Sequence, residues 1–99
     1  MIRSFADKQT RTIFETGRSR RWNSIARVAV RKLVQIDSVI RLEELKIPPG
    51  NCLEALKGDR AGQHSIRIND QWRICFRWES DGVYDVGIVD STKQSEIKL

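Results

Sequence analysis

The sequence predicts an α+β fold, with N-terminal helices packed on one face of a small twisted, mostly antiparallel sheet. Three observations carry that reading. Apolar residues recur at three- and four-residue spacing as far as Leu45, and at every second residue from Leu53 onward. Between the two regimes stands "IPPG", residues 47–50, which stops any helix because its prolines lack N–H donors and Gly50 tolerates a turn. Finally, "SIRINDQWRICFRW", residues 65–78, splits by parity. Ile66, Ile68, Trp72, Ile74, Phe76 and Trp78 fall on one side; Ser65, Arg67, Asn69, Gln71, Arg73, Cys75 and Arg77 fall on the other. The apolar side needs a cover, worth about 25 cal/mol per Å² of apolar surface removed from water. The upstream helices supply it, and the arginine side is expected to stay open to solvent.

Each element follows from local signals. Residues 2–5, "IRSF", alternate and predict a short first strand. Asp7 is placed to cap a helix that carries Ile13 and Phe14 inward and stops at Gly17. "RSRRW", residues 18–22, makes a basic loop, in which Trp22 either lids the core or stays exposed. Asn23 or Ser24 can cap a second helix bearing Ile25, Val28, Ala29, Leu33 and Ile36 on one stripe. A short helical turn is expected from Ser38 through Leu42 and Leu45. "CLEALKG", "HSIRI", "QWRICFRW" and "VYDVGIV" then read as strands, with "GDRAGQ", "ND" and "ESDG" as turns between them.

Ninety-nine residues make one domain, 1–99, long enough for one modest core. At 39% hydrophobic and 31% charged, the composition is that of a globular chain. No run approaches the ~20 apolar residues of a membrane helix, and "MIRSFADKQTR" lacks a signal-peptide apolar run, so a soluble, cytoplasmic protein with no membrane partner is expected. Cys52 and Cys75 lack metal-ligand spacing and His64 stands alone, so no metal or other cofactor is expected and both cysteines read as reduced thiols. The net charge of +5 is uneven: residues 1–36 hold nine basic side chains against Asp7 and Glu15. Such a chain favours polyanions or acidic protein partners.

A recognisable pattern runs through these residues. "RSRRW" before a helix, "PPGNCLEALKGDRAGQHSIRINDQWRICFRW" at 48–78 and "DVGIVD" at 85–90 resemble the HigB-type killer toxins of toxin–antitoxin modules, within the RelE/ParE superfamily. The likeness spans about residues 1–90 in the same order, and it implies a RelE-like fold. It further implies an endoribonuclease that cuts mRNA on translating ribosomes without a cofactor. The implied partners are the mRNA and ribosome, a cognate helix-turn-helix antitoxin that neutralises the toxin, and operator DNA reached only through the antitoxin complex.

Metal-free RNA cleavage takes the 2′-OH as nucleophile. It needs an acceptor for that proton, a holder for the charge on phosphorus and a donor for the leaving 5′-oxygen. Arg73 suits the second task, because a guanidinium keeps its charge and grips a phosphate with two parallel hydrogen bonds. The resemblance also places a phosphate-binding arginine there, and an active-site lysine at Lys57. Glu54 can accept the 2′-OH proton or pair with Lys57 or Arg73. Arg67 and Arg77 are read as steering or gripping the RNA backbone, and Arg60, Arg20 and Arg21 as contacts to ribosomal RNA. The parity of His64 sends it to the helix side as a structural residue.

The tail departs from the resemblance. Relatives commonly follow Val-Asp, here Val89-Asp90, with Tyr-His, the usual proton-transfer and substrate-orienting pair. This chain has Ser91 and Thr92 and then "KQSEIKL", an atypical tail over 91–99. A hydroxyl cannot replace an imidazole near neutral pH, and Asp90 is left as a group able to orient a partner. The alternative function is therefore a catalytically weak or inactive homologue. It would serve as an antitoxin-binding co-repressor or act on a protein target such as gyrase.

Overall fold

The computed structural model describes residues 1–92, and its elements follow the predicted order with shorter strands at the start. Helix α1 spans Lys8–Thr16 and α2 spans Ala26–Ser38; β1 is Glu54–Ala55, β2 Gln63–Arg67, β3 Trp72–Glu79 and β4 Gly82–Asp90. The four strands are antiparallel in the order β1-β2-β3-β4. Helices on one side of this meander make the α+β, RelE-like arrangement.

Local chemistry sets the helix ends. Asp7 caps α1 with its carboxylate accepting from the Thr10 N–H at 2.6 Å, and Gly17 closes it in the left-handed conformation (φ 74°). Neither Asn23 nor Ser24 caps α2: a single 3₁₀ turn, Asn23–Ile25, leads into it with no side-chain cap. The turn expected from Ser38 is a 3₁₀ segment over Leu42–Lys46.

Residues 2–5 do not form a strand. Ile2 and Phe5 make single parallel bridges to Val83 and Val86. Asp85, between them at φ 56°, interrupts the edge, and its N–H donates to Ser4 Oγ. The N-terminal segment lies so close to β4 that a Cβ on Gly82 (φ 152°) would meet Arg3 Cγ at 2.5 Å. The strand expected over "CLEALKG" shrinks to two residues, because Cys52 (φ 48°) and Gly58 (φ 65°) bend the chain away at both ends.

The core is the predicted one except at Trp72 and Trp78, which the shared parity with Phe76 also assigns to it. Ile13, Ala29, Leu33 and Ile36 from the helices meet Ile66, Ile74, Phe76 and Val86 from the sheet, each at 0% exposure. Trp22 proves to be a lid: it is buried, with its ring edge-on to Trp72 at 6.0 Å. Trp72 and Trp78 pack half-buried at the rim rather than in the interior. His64 keeps to the helix side, stacked on Phe76. Both cysteines are free.

Candidate RNA-phosphate site

The second face of the sheet is not bare, which corrects the sequence-based expectation. Ser65 and Cys75, on the arginine parity, are 1% and 3% exposed. β1 extends the edge of the sheet beside β2, with Glu54 opposite Ser65 and Ser65 opposite Cys75 in register. The segments flanking β1 bring the Cys52 carbonyl to Arg73 and Arg60 to Cys75 on this face. Burial raises the Cys75 thiol pKa, while Arg60 and Arg73 beside it pull the other way.

Arg73 sits in this cover rather than in open solvent. Its side chain is 13% exposed. Nε donates to Ser65 Oγ at 2.8 Å, and Nη2 donates to the Cys52 carbonyl at 2.6 Å and the Ser65 carbonyl at 3.3 Å. Glu54 Oε1 stands 3.8 Å from the same Nη2. Nη1 makes no hydrogen bond among the described residues. Three acceptors thus fix the plane of the guanidinium and leave two N–H groups for an anion.

The other expected residues surround Arg73 unevenly. Arg67 lies directly opposite it in the β2–β3 ladder, but its guanidinium turns to Asp70. Arg77 faces Asp85 at 3.5 Å, both half-exposed. Asp90 is level with Trp72, and accepts from Gln71 Nε2 at 3.1 Å and from Thr92 Oγ1 at 2.5 Å. Ser91 binds the Gln71 carbonyl through both N–H and Oγ. Lys57 is exposed, just past the row that aligns Gln63 with Arg77. The backbones of Lys57 and Asp90 therefore lie near opposite ends of the sheet, with Arg73 between.

Arg20 and Arg21 lie apart from this face. They line an open cleft beside α1 with Lys8 and Arg18. Arg21 is held by Gln9 at 2.9 Å and lies over the Trp22 and Trp72 rings at 4.9 and 5.9 Å. Among the described residues no cluster of three His, Cys, Asp or Glu side chains is placed to hold a metal ion. No helix among them is long and apolar enough to cross a membrane.

Sequence reasoning missed Lys32, which it counted only as charge. It is 7% exposed on the inner side of α2, with Nζ donating to Asn51 Oδ1 at 2.9 Å and to the Arg67 carbonyl at 2.6 Å. Burial lowers its pKa, helped by Arg31, Arg67 and Arg73 and opposed by Cys52. Its position directly before Leu33 on the buried stripe was the available signal.

A meander backed by two helices, with an anchored arginine on its far face, is a RelE-like arrangement. The family model described as a RelE-like toxin of the type II toxin–antitoxin system HigB matches residues 3–91. Toxin HigB-1 of Vibrio cholerae is 39% identical over 85 residues, covering 84% of this chain and 88% of that protein. An uncharacterised protein of Haemophilus influenzae is 33% identical over 61 residues, 62% of this chain and 60% of its own length. The chain belongs to the HigB-like toxin family, and its role is that of the toxin in a type II toxin–antitoxin pair. That class implies an antitoxin partner.

Proposed function

We propose that this toxin is a cytoplasmic mRNA endoribonuclease acting on translating ribosomes, neutralised by a helix-turn-helix antitoxin through which the pair reaches operator DNA. The observation that carries the reading is the anchored Arg73 guanidinium with Nη1 left over. In this reading Nη1 binds a non-bridging oxygen of the scissile phosphate and holds the charge that grows as the 2′-oxygen attacks phosphorus. The P–O5′ bond breaks, leaving a 2′,3′-cyclic phosphate, and the departing 5′-oxygen takes a proton from solvent water to become a 5′-hydroxyl.

Glu54, 60% exposed and 3.8 Å from Arg73, accepts the 2′-OH proton or serves as the arginine's partner. Lys57 brings a second cation to the phosphate, and Asp90 orients the groups at the Trp72 end. Arg67 and Arg77 guide the RNA backbone once it displaces Asp70 and Asp85. Arg60, Arg20 and Arg21 contact ribosomal RNA. The test is growth arrest on expression, relieved by Arg73→Ala, by Lys57→Ala and by the co-expressed antitoxin. Both variants remaining as toxic as the parent would refute the site assignment.

One observation favours a second reading. Ser91 and Thr92 bind Gln71 and Asp90, where relatives carry the proton-transfer pair. In that reading the toxin has lost the reaction, and acts as antitoxin-binding co-repressor or on a protein such as gyrase. Restoring Tyr-His at these two positions discriminates: RNA cleavage appearing only in the restored protein supports the second reading, and cleavage by the unaltered protein eliminates it.

A further inference from the structure

Lys32 occupies a place where an ammonium is costly. It lies on α2 beside Leu33, and no carboxylate among the described residues stands within ion-pair distance. The charged groups around it are Arg31 on its own helix, Arg67 from β2 and Arg73 from β3, with the Cys52 thiol from the intervening loop. Carbonyl oxygens, not anions, meet its N–H groups.

Those two oxygens belong to the two backbone segments that flank Arg73. One acceptor is Asn51, fully buried, whose Nδ2 donates in turn to Leu45 O and Gln35 Oε1 at 3.1 Å and to Ile47 O at 3.4 Å. A single amide thus staples the 45–51 segment to α2. The next residue, Cys52, takes the left-handed conformation (φ 48°, ψ 55°), and its carbonyl is the one that accepts from Arg73 Nη2. The other acceptor is the carbonyl of Arg67, the residue directly opposite Arg73 in the ladder.

We propose that Lys32 is the positioning residue of the phosphate site: it ties the Asn51–Cys52 loop to the end of β2 and so holds the Cys52 carbonyl against Arg73. Arg73 is thereby fixed before an RNA phosphodiester arrives, with Nη1 presented to it. The proposal rests on the reading of Arg73 as the phosphate-holding group. Misplacing such a group by about an ångström can cost on the order of 100-fold in rate. The loss falls on kcat, since Lys32 meets no substrate atom.

The experiment compares the full-length wild type with Lys32→Met and Arg73→Ala. One arm measures hydrogen exchange of the Arg73 Nε–H by NMR; the other measures cleavage of mRNA on translating ribosomes. Lys32→Met is expected to speed Nε–H exchange and lower kcat by roughly 10- to 100-fold, with KM little changed. Wild-type exchange or wild-type kcat in Lys32→Met overturns the proposal and leaves the role of Arg73 standing. Wild-type cleavage by Arg73→Ala overturns the reading beneath it instead. The exchange arm requires no turnover, so it decides even for a chain that cuts nothing. Should Lys32→Met fail to fold, Lys32→Gln, whose amide can still donate to one of the same oxygens, is judged by the same readouts.

Discussion

Trp22→Ala should be among the most damaging single substitutions in this chain. The indole is 2% exposed, edge-on to Trp72, with the Arg21 guanidinium over it. Its Nε1 is buried with no hydrogen-bond partner among the described residues, so truncation forfeits packing and no hydrogen bond. A buried tryptophan covers about 200 Å² or more, which at about 25 cal/mol per Å² is roughly 5 kcal/mol. Partial collapse of the cavity brings measured costs to about 3–5 kcal/mol. A domain of this size holds only about 5–15 kcal/mol in all. Urea unfolding followed by circular dichroism should show a loss of about 3–5 kcal/mol at an unchanged m value, and Tm should fall by at least about 12 °C. A double-mutant cycle with Trp72→Ala should return about 0.5–1.5 kcal/mol of coupling. A cost for Trp22→Ala below about 1.5 kcal/mol would refute the lid, because an indole packed as described cannot be removed so cheaply.

Two further outcomes follow from titratable groups. Alkylating reagent near pH 8 should modify the exposed Cys52 and spare the buried Cys75, whose thiolate is disfavoured by burial; mass spectrometry of the labelled protein checks this. Equal labelling would contradict the burial of Cys75 on the second face of the sheet. Lys32 gives a pH signature: its folded pKa is lowered, so between that value and the ordinary lysine value of about 10.4 the unfolded chain binds more protons and stability rises with pH. Lys32→Met lacks that rise, so its disadvantage relative to wild type should grow as pH climbs through this window. A difference that stays flat or shrinks contradicts the buried ammonium.

The period change at "IPPG" and the parity of 65–78 were enough to read the layers, because one face of each element had to be buried. The helix stripe and strand alternation therefore predicted Leu33, Ile36, Ile66, Ile74 and Phe76 as core. What parity could not show was the cover on the second face. That cover depends on where the 51–60 segment returns, and backbone reversals at Cys52 and Gly58 set its path. Cysteine has no strong preference for left-handed backbone, so nothing in its identity announced the turn. Arg73 was legible from its parity and from family likeness. Its anchoring was not, since two of its three acceptors are backbone carbonyls. Lys32 was hidden for a related reason: a basic residue on a helix is usually solvated, and its partners come from residues 19 and 35 positions away.

The central claim is that an anchored Arg73 holds the RNA phosphate during cleavage. Mapping 5′ ends of an mRNA on translating ribosomes, with wild type, Arg73→Ala and Arg73→Lys, tests it most directly. Wild type should cut, and Arg73→Ala should cut about 100- to 1,000-fold more slowly, the loss typical for removing a donor that stabilises a developing oxyanion. Arg73→Lys should fail to restore the rate, because one ammonium cannot engage Ser65, Cys52 and a phosphate with a guanidinium's planar fork. Cuts at the same positions and rate in Arg73→Ala as in wild type would contradict the account.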